Sequence, residues 1–290
     1  MLTGVKAVRD LTAPSRVQAL MQKYGLKARK SLGQNFLVDQ NIVQKIVDAA
    51  GLTPSDTVVE IGPGLGVLTA RLAQKAGRVI AVEIDQHLIP VLQENLAAAG
   101  NVQLVHGDAL HTDFAALTGG VPFTVVANLP YYITTPLLFH LLESGYPIRR
   151  LVLMVQDEVA DRLAAPPGNK QYGALSVMVQ YYTRVEYMFK VPRTVFIPRP
   201  GVDSAVVRLE KRETPAVPVP DEALFQRLVR GAFAQRRKTL ANALAAALPF
   251  LSREQWQQEL RALGLPDNVR GEMLSMEQFA ALTAAVAGKQ

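Results

Sequence analysis

Five short, largely apolar runs punctuate the first half of this chain, at 57–61, 79–84, 102–106, 123–127 and 151–155. No other feature restricts the fold as much. Runs of this length are too short for helices and read as strands, the one ending at Ala127 as a buried strand. Helical patterns at about 66–75, 86–98 and 134–143 separate most of them, and another at about 156–164 follows the fifth. Strands joined through helices pair in parallel with right-handed crossovers, which predicts an α/β chain on a mostly parallel sheet. Two later runs, 184–191 and 204–209, have no helical pattern between them. They are expected as an antiparallel pair at one sheet edge, completing seven strands.

The flanks follow a different pattern. Residues 14–24 have amphipathic helical spacing with Pro14 in the first turn. A basic, turn-rich stretch follows, carrying Lys27, Arg29 and Lys30. Asp39 stands where a helix cap belongs, ahead of Ile42, Val43, Ile46 and Val47 on one helical face, and Gly51 ends that helix. Residues 1–50 therefore read as a helical extension and 51–212 as the sheet domain. Pro215, Pro218 and Pro220 make 213–220 a stiff linker. Beyond it, 221–290 carries no clear strand, and the pairs Leu224/Leu228, Leu240/Leu244 and Phe279/Leu282 predict a small all-helical domain.

Composition removes several function classes. At 49% hydrophobic and 19% charged residues the chain has ample core for a globular protein. It has no cysteine, which excludes disulfides, thiolate metal sites and a Cys nucleophile, and fits a cytoplasmic setting. No run nears the roughly 18 apolar residues of a membrane-spanning helix. The charged first 13 residues do not have the apolar core of a secretory signal. His87, His106, His111 and His140 show no ligand spacing, so no metal is expected. There is neither a P-loop nor a G-x-S-x-G elbow. The net charge of +6 permits a polyanionic partner without requiring one.

Four successive strands end in polar groups, at the carboxyl edge where open α/β sheets bind ligands. The first runs into Gly62-Pro63-Gly64-Leu65-Gly66, which allows close backbone approach at a helix N-terminus. This G-x-G-x-G spacing differs from the dinucleotide G-x-G-x-x-G, so a pyrophosphate is disfavoured. The second ends at Glu83, about 20 residues on, where a ribose diol needs an acceptor. The third is followed by Gly107-Asp108, and the fourth by Asn128-Leu129-Pro130-Tyr131. In that tetrapeptide an amide oxygen and a backbone carbonyl stand beside an aromatic ring on a turn stiffened by proline. Such a set suits a planar amino group on a base. Taken alone, a capped strand-to-helix turn explains it equally well. Polar groups at four strand ends in register are poorly explained that way.

This order of motifs resembles the class I S-adenosylmethionine-dependent methyltransferases, whose sheet is Rossmann-like. Gln34-Asn35-Phe36-Leu37, residues 128–133, the F-I-P-R-P-G-V-D-S-A segment at 196–205 and the A-Q-R-R-K-T-L segment at 234–240 are similar to the ribosomal RNA adenine N6,N6-dimethyltransferases. The likeness is strongest to the bacterial small-subunit members, which modify two adjacent adenines in the hairpin near the 3′ end of small-subunit rRNA. Arg199 departs from their frequent F-I-P-P-P. The resemblance implies that Asn35 and Leu37 flank S-adenosylmethionine, and that Gly62 and Gly64 approach its methionine part. Glu83 would hold the ribose and Asp108 the adenine, while Gln34, Ile84 and Ala109 complete the set. It places Asn128 between cofactor and target, with Leu129 and Pro130 beside it and Tyr131 and Phe196 as stacking surfaces. Tyr132 is expected as a packing aromatic.

The implied partner is small-subunit rRNA or an immature small subunit, with the chain acting as a monomer. Lys27, Arg29 and Lys30 are one candidate phosphate-binding group. Arg230, Arg236, Arg237 and Lys238, with Arg227, are another, in a stretch without acids expected to be helical. A merely solvated basic face is the competing explanation. Two other functions share these motifs: methylation of large-subunit rRNA, and an RNA-binding assembly or transcription factor without catalysis. Intact Glu83, Asp108 and Asn128 argue against the latter.

Overall fold

In the computed structural model, residues 11–29, 32–130 and 132–289 are described. Lys30 and Tyr131 lie outside them, and with them two expected site positions. Helix α1 (Pro14–Lys23) buries Val17 and Leu20. Strand β1 (Phe36–Leu37) leads into α2 (Gln40–Ala50). Asp39 starts α2 by accepting from the amides of Asn41 (2.8 Å) and Ile42 (3.0 Å). Gly51, in the left-handed region at φ +56°, stops it. Ile42, Val43, Ile46 and Val47 are all buried, as their spacing predicts.

The five apolar runs form β2 (Thr57–Ile61), β3 (Arg78–Glu83), β4 (Val102–His106), β5 (Phe123–Asn128) and β6 (Ile148–Gln156). Val58, Val59, Ile80, Val125 and Val152 are fully buried, whereas β4, at the sheet edge, has no buried residue. Between them run α3 (Val67–Leu72), α4 (Ile89–Leu96), α5 (Phe114–Thr118) and α6 (Thr134–Glu143), and α7 (Asp157–Ala164) follows β6. The single-turn α5 has no long apolar period to announce it; Asp113 caps it, accepting from the Ala116 amide at 3.1 Å. Farther along lie α8 (Ala174–Tyr182), β7 (Thr183–Val191), β8 (Phe196–Ile197) and β9 (Ser204–Lys211). The seven-stranded sheet has the order β4-β3-β2-β5-β6-β9-β7. Strands β2 to β6 pair in parallel, and β9 is antiparallel to β6. β1 and β8 form a separate two-stranded antiparallel sheet, with Phe36 opposite Ile197.

The chain divides into two compact units: residues up to Ala160 with Glu186–Lys211, and Asp161–Val185 with the chain from Arg212 onward. The second unit contains α9 (Glu222–Ala234), α10 (Leu240–Ala247), α11 (Arg253–Ala262) and α12 (Met276–Val286), around buried Phe225, Trp256 and Phe279. It also takes in α8, which a boundary at residue 212 assigns to the sheet. The physical reason is the apolar face that it packs on α9. Val177, Met178, Val179 and Tyr181 are all buried. The Tyr181 ring stacks on Phe225 at 4.6 Å, and Tyr182 donates to Glu222 (2.5 Å).

Asp39→Ala strips α2 of both cap bonds and is expected to cost about 1 kcal/mol. Urea unfolding measures this as a lower midpoint at unchanged slope.

Candidate active site

Strand register decides which residues meet. Ile61 on β2 stands opposite Val82 on β3 and Ala127 on β5. The next residue of each strand therefore lies at one level, which brings Gly62, Glu83 and Asn128 together. Glu83 is opposite His106, so Gly107 and Asp108 follow just beyond. Three amides carry the ladders to this edge: Gly62 donates to Val82 (3.0 Å), Gly107 to Glu83 (2.9 Å) and Leu129 to Met154 (3.1 Å). A single cleft results. Gln34, Asn35, Leu37, Gly62, Gly64, Glu83, Ile84, Asp108, Ala109, Asn128, Leu129, Pro130 and Phe196 all line it.

The glycine loop leaves β2 with Gly62 and Gly64 at φ +73° and +60°, a region side chains resist. A Cβ on Gly64 would also stand 3.3 Å from the Phe36 ring. The Gly64 amide donates to Glu83 Oε2 (3.2 Å), and the Asp85 amide donates to Glu83 Oε1 (2.9 Å). Glu83 is only 4% exposed. Burial raises its carboxyl, those amides pull it back, and the Asp85 charge pushes it up again. Each carboxylate oxygen keeps acceptor capacity for a diol. Asp108 accepts from the Leu110 amide (2.9 Å) and lies 3.0 Å from His111 Nδ1, so its carboxylate is already oriented.

Asn128 is oriented from the opposite wall. Its Nδ2 donates to the Asn35 carbonyl at 3.3 Å. A carbonyl only accepts, so this contact assigns the amide: Oδ1 is the acceptor edge. Gly33 lies against the same turn, since a Cβ there would come 3.1 Å from Pro130 Cβ. Segment 32–37 is thus a wall shared by the glycine loop and the Asn128 turn.

Three contributors escaped sequence reasoning. Glu60 lines the cleft, is 1% exposed, and its Oε2 finds no hydrogen-bond partner among the described residues. Burial pushes its carboxyl up to about 8, and the charge of Glu83 adds to the rise. An acid interrupting an apolar run just before a glycine loop was the available signal. Asp85 is 4% exposed and gathers Gln34, Arg29 and His87. Tyr132 overturns the expectation of a packing aromatic: it lines the cleft and is 55% exposed. It follows the Pro130 turn, after the chain has left the sheet, so no core position awaits it. Partial burial and the charges of Asp108 and Glu83 raise its hydroxyl.

The basic residues divide. Lys27 is exposed, whereas Arg29 pairs with Asp85 at 3.5 Å. Arg230 is on the exposed side of α9. The expected helical stripe is broken, because α9 ends at Ala234 and residues 235–238 form a turn. Arg236 is held within that unit by the carbonyls of Lys170 (2.9 Å) and Tyr172 (3.4 Å) and by Glu272 (3.6 Å). Arg237 and Lys238 are exposed on the turn. No group of three or more possible metal ligands occurs among the described residues.

Comparison with known proteins gives concordant results. A family model described as ribosomal RNA adenine dimethylase matches residues 25–287. Ribosomal RNA small subunit methyltransferase A from Geobacillus sp. (strain WCH70) is 50% identical over 96% of this chain and 98% of its own. The protein of that name from Pelotomaculum thermopropionicum is 52% identical over 94% and 96%. Among solved structures, a dimethyladenosine transferase from Plasmodium falciparum superposes with TM-score 0.74 at 28% identity, covering 88% of this chain and 98% of that one. The 23S rRNA methyltransferase ErmE gives 0.65 at 28% identity, covering 87% and 100%.

Glu60 makes stability fall with rising pH. Folded Glu60 keeps its proton to about pH 8, whereas the unfolded side chain loses it near 4.5. The folded state therefore binds the extra proton between these values. Its contribution is complete below about 4.5 and is lost as pH rises through about 8. Glu60→Gln is expected to flatten the Tm profile of the ligand-free protein and to melt above wild type at alkaline pH.

Proposed function

The chain belongs to the ribosomal RNA adenine dimethylase family, and from that premise we propose how its cleft works. The protein is an S-adenosylmethionine-dependent rRNA adenine N6,N6-dimethyltransferase acting on two adjacent adenines in the 3′-terminal hairpin of small-subunit rRNA. What carries this reading is the convergence of Glu83, Asp108 and Asn128-Leu129 on one cleft of a chain about half identical to small-subunit methyltransferases over nearly its full length.

The residues fit S-adenosylmethionine. Glu83 offers a buried carboxylate to the ribose hydroxyls, Asp108 an oriented acceptor to the adenine amine, and Ile84 and Ala109 apolar surface to the ring. Gly62 and Gly64 let the backbone approach the methionine part, toward which the unpartnered Glu60 oxygen is a further polar group. When bound, S-adenosylmethionine supplies an electrophilic methyl on a sulfonium.

The chain's own contribution is at the acceptor. The exocyclic N6 of adenine is a weak nucleophile because its lone pair is delocalised into the ring. Asn128 Oδ1 and the Leu129 carbonyl accept its two N–H bonds and favour a pyramidal nitrogen with the lone pair aimed at the methyl. Positive charge grows on N6 during transfer, so these contacts strengthen toward the transition state. No strong base is needed; the proton leaves afterwards. Extruding the base costs a few kcal/mol, which aromatic stacking worth about 1–3 kcal/mol offsets in part. Tyr132 provides the exposed cleft-lining ring, whereas Phe196, expected as a stacking surface, lines the cleft from within the core at 4% exposure. Lys27, Arg230, Arg237 and Lys238 serve the phosphates of an immature small subunit, met by a monomer in the cytoplasm.

Asn128→Ala is expected to lower kcat on immature small subunits by about 100-fold or more, the scale of losing one transition-state contact. The affinity for S-adenosylmethionine should change much less. Methyl transfer to naked large-subunit rRNA alone would instead favour the large-subunit reading.

A further inference from the structure

Asp85 is almost completely buried, yet it neither belongs to the sheet nor lines the cleft. Its carboxylate is fully engaged. Oδ2 accepts from Gln34 Nε2 at 2.8 Å. Oδ1 accepts from the His87 amide at 3.1 Å and lies 3.0 Å from His87 Nδ1 and 3.5 Å from Arg29 Nη1. Arg29 Nη2 is in turn 3.2 Å from His87 Nδ1, and the Arg29 amide donates to Gln34 Oε1 at 2.9 Å. Gln34 is therefore held at both ends of its side-chain amide, by the backbone amide of Arg29 and by the buried Asp85 carboxylate, with which the Arg29 guanidinium itself pairs. Burial alone would raise the Asp85 carboxyl, but Gln34, His87 and Arg29 together hold it below the usual carboxylate range.

Two further contacts give this cluster reach. Asp85 also donates its own amide to Glu83 Oε1 (2.9 Å). Gln34 is flanked by Gly33, which lies against Pro130, and by Asn35, whose carbonyl orients the Asn128 amide. At its far end the same segment is fastened by β1–β8 pairing and by the Val38 amide donating to Val195 (2.8 Å). Among the described residues the segment is thus held by backbone pairing at 36–38, by Asn128 on the Asn35 carbonyl, by the turn onto the Arg29 carbonyl and by the Gln34 side chain.

We propose that Asp85 is a positioning residue which, through Gln34 and Arg29, fastens segment 32–37 as a wall of the S-adenosylmethionine cleft and so sets how fast cofactor leaves. The proposal rests on the cofactor reading of that cleft. It also reassigns Arg29 from RNA phosphate contact to the cofactor side. Dimethylation of two adenines takes four transfers, each needing a fresh S-adenosylmethionine, so an anchor that controls exchange acts four times per substrate.

The test is a double-mutant cycle on the full chain, read as dissociation rates of S-adenosylhomocysteine and S-adenosylmethionine. Arg29→Leu alters a half-exposed side chain outside the cleft, and Asp85→Asn keeps the shape of a buried one. Each single variant is expected to speed dissociation about tenfold, the scale of a lost charge-assisted contact. The double variant should be no faster than the worse single, because both break one anchor. Circular dichroism and melting of each variant separate loss of the anchor from loss of the fold, and Arg29→Leu keeps the test alive if Asp85→Asn does not fold. If wild type binds neither ligand, the cofactor reading fails. If wild type binds and folded Asp85→Asn releases cofactor at the wild-type rate, the anchor is wrong; the same result for Arg29→Leu alone removes Arg29 from it. Strictly additive effects would equally sink it. Weaker RNA binding by Arg29→Leu with a shallower salt dependence and unchanged cofactor release would return Arg29 to the phosphate role.

Discussion

Everything at the site depends on β2 pairing in parallel with β3 on one side and β5 on the other. A strand flanked this way sits where strand order reverses, so its two neighbours' connections diverge and leave a crevice at the carboxyl ends. The shared register then levels Gly62, Glu83 and Asn128 without any contact among their side chains being required. A slip of two residues in either pairing would preserve which side chains face the core and still carry one of these groups about 7 Å out of reach. The apolar faces of the sheet enforce the fold, and the ladders enforce the chemistry.

A second layer of order comes from outside the sheet. Segment 32–37 has almost no regular structure, yet its backbone orients Asn128 and its side chains border the glycine loop. Its placement relies on a two-residue strand pair and one buried carboxylate. Such a wall is cheap to displace compared with the strands, which suits a cleft that must exchange cofactor and product repeatedly. The rigid and the exchangeable parts of the site are thus built from different interactions: hydrogen-bonded ladders for the acceptors, a charge cluster for the cover.

Much of this was legible in advance for stated physical reasons. Short apolar runs report strands, and Val58, Ile80, Val125 and Val152 have no exposure, while the edge position that leaves β4 half-exposed does not show in its sequence. Asp39 and Gly51 announced α2 because a cap and a left-handed terminator are local chemistry. Short elements were not legible: α5, β1 and β8 are too brief to show a period. Tyr132 was misjudged because aromaticity says nothing about burial once a chain has left the sheet. Arg236 belongs to the cation group by sequence, but three partners within its own unit make it a structural tie.

The sequence by itself determined the strand–helix alternation, the polar residue at each strand end and, through its motifs, the family. Those properties are local or are carried by residue identity, so no coordinates are needed to read them. Only the tertiary structure decided that Glu60 and Asp85 matter, that Tyr132 is exposed at the cleft, and that Arg29 faces a buried acid. Each of these depends on the loss of water and on partners distant in the chain, from 51 residues between Gln34 and Asp85 to 93 between Asn35 and Asn128. Burial and long-range pairing are properties of the packed chain, and no local pattern encodes them.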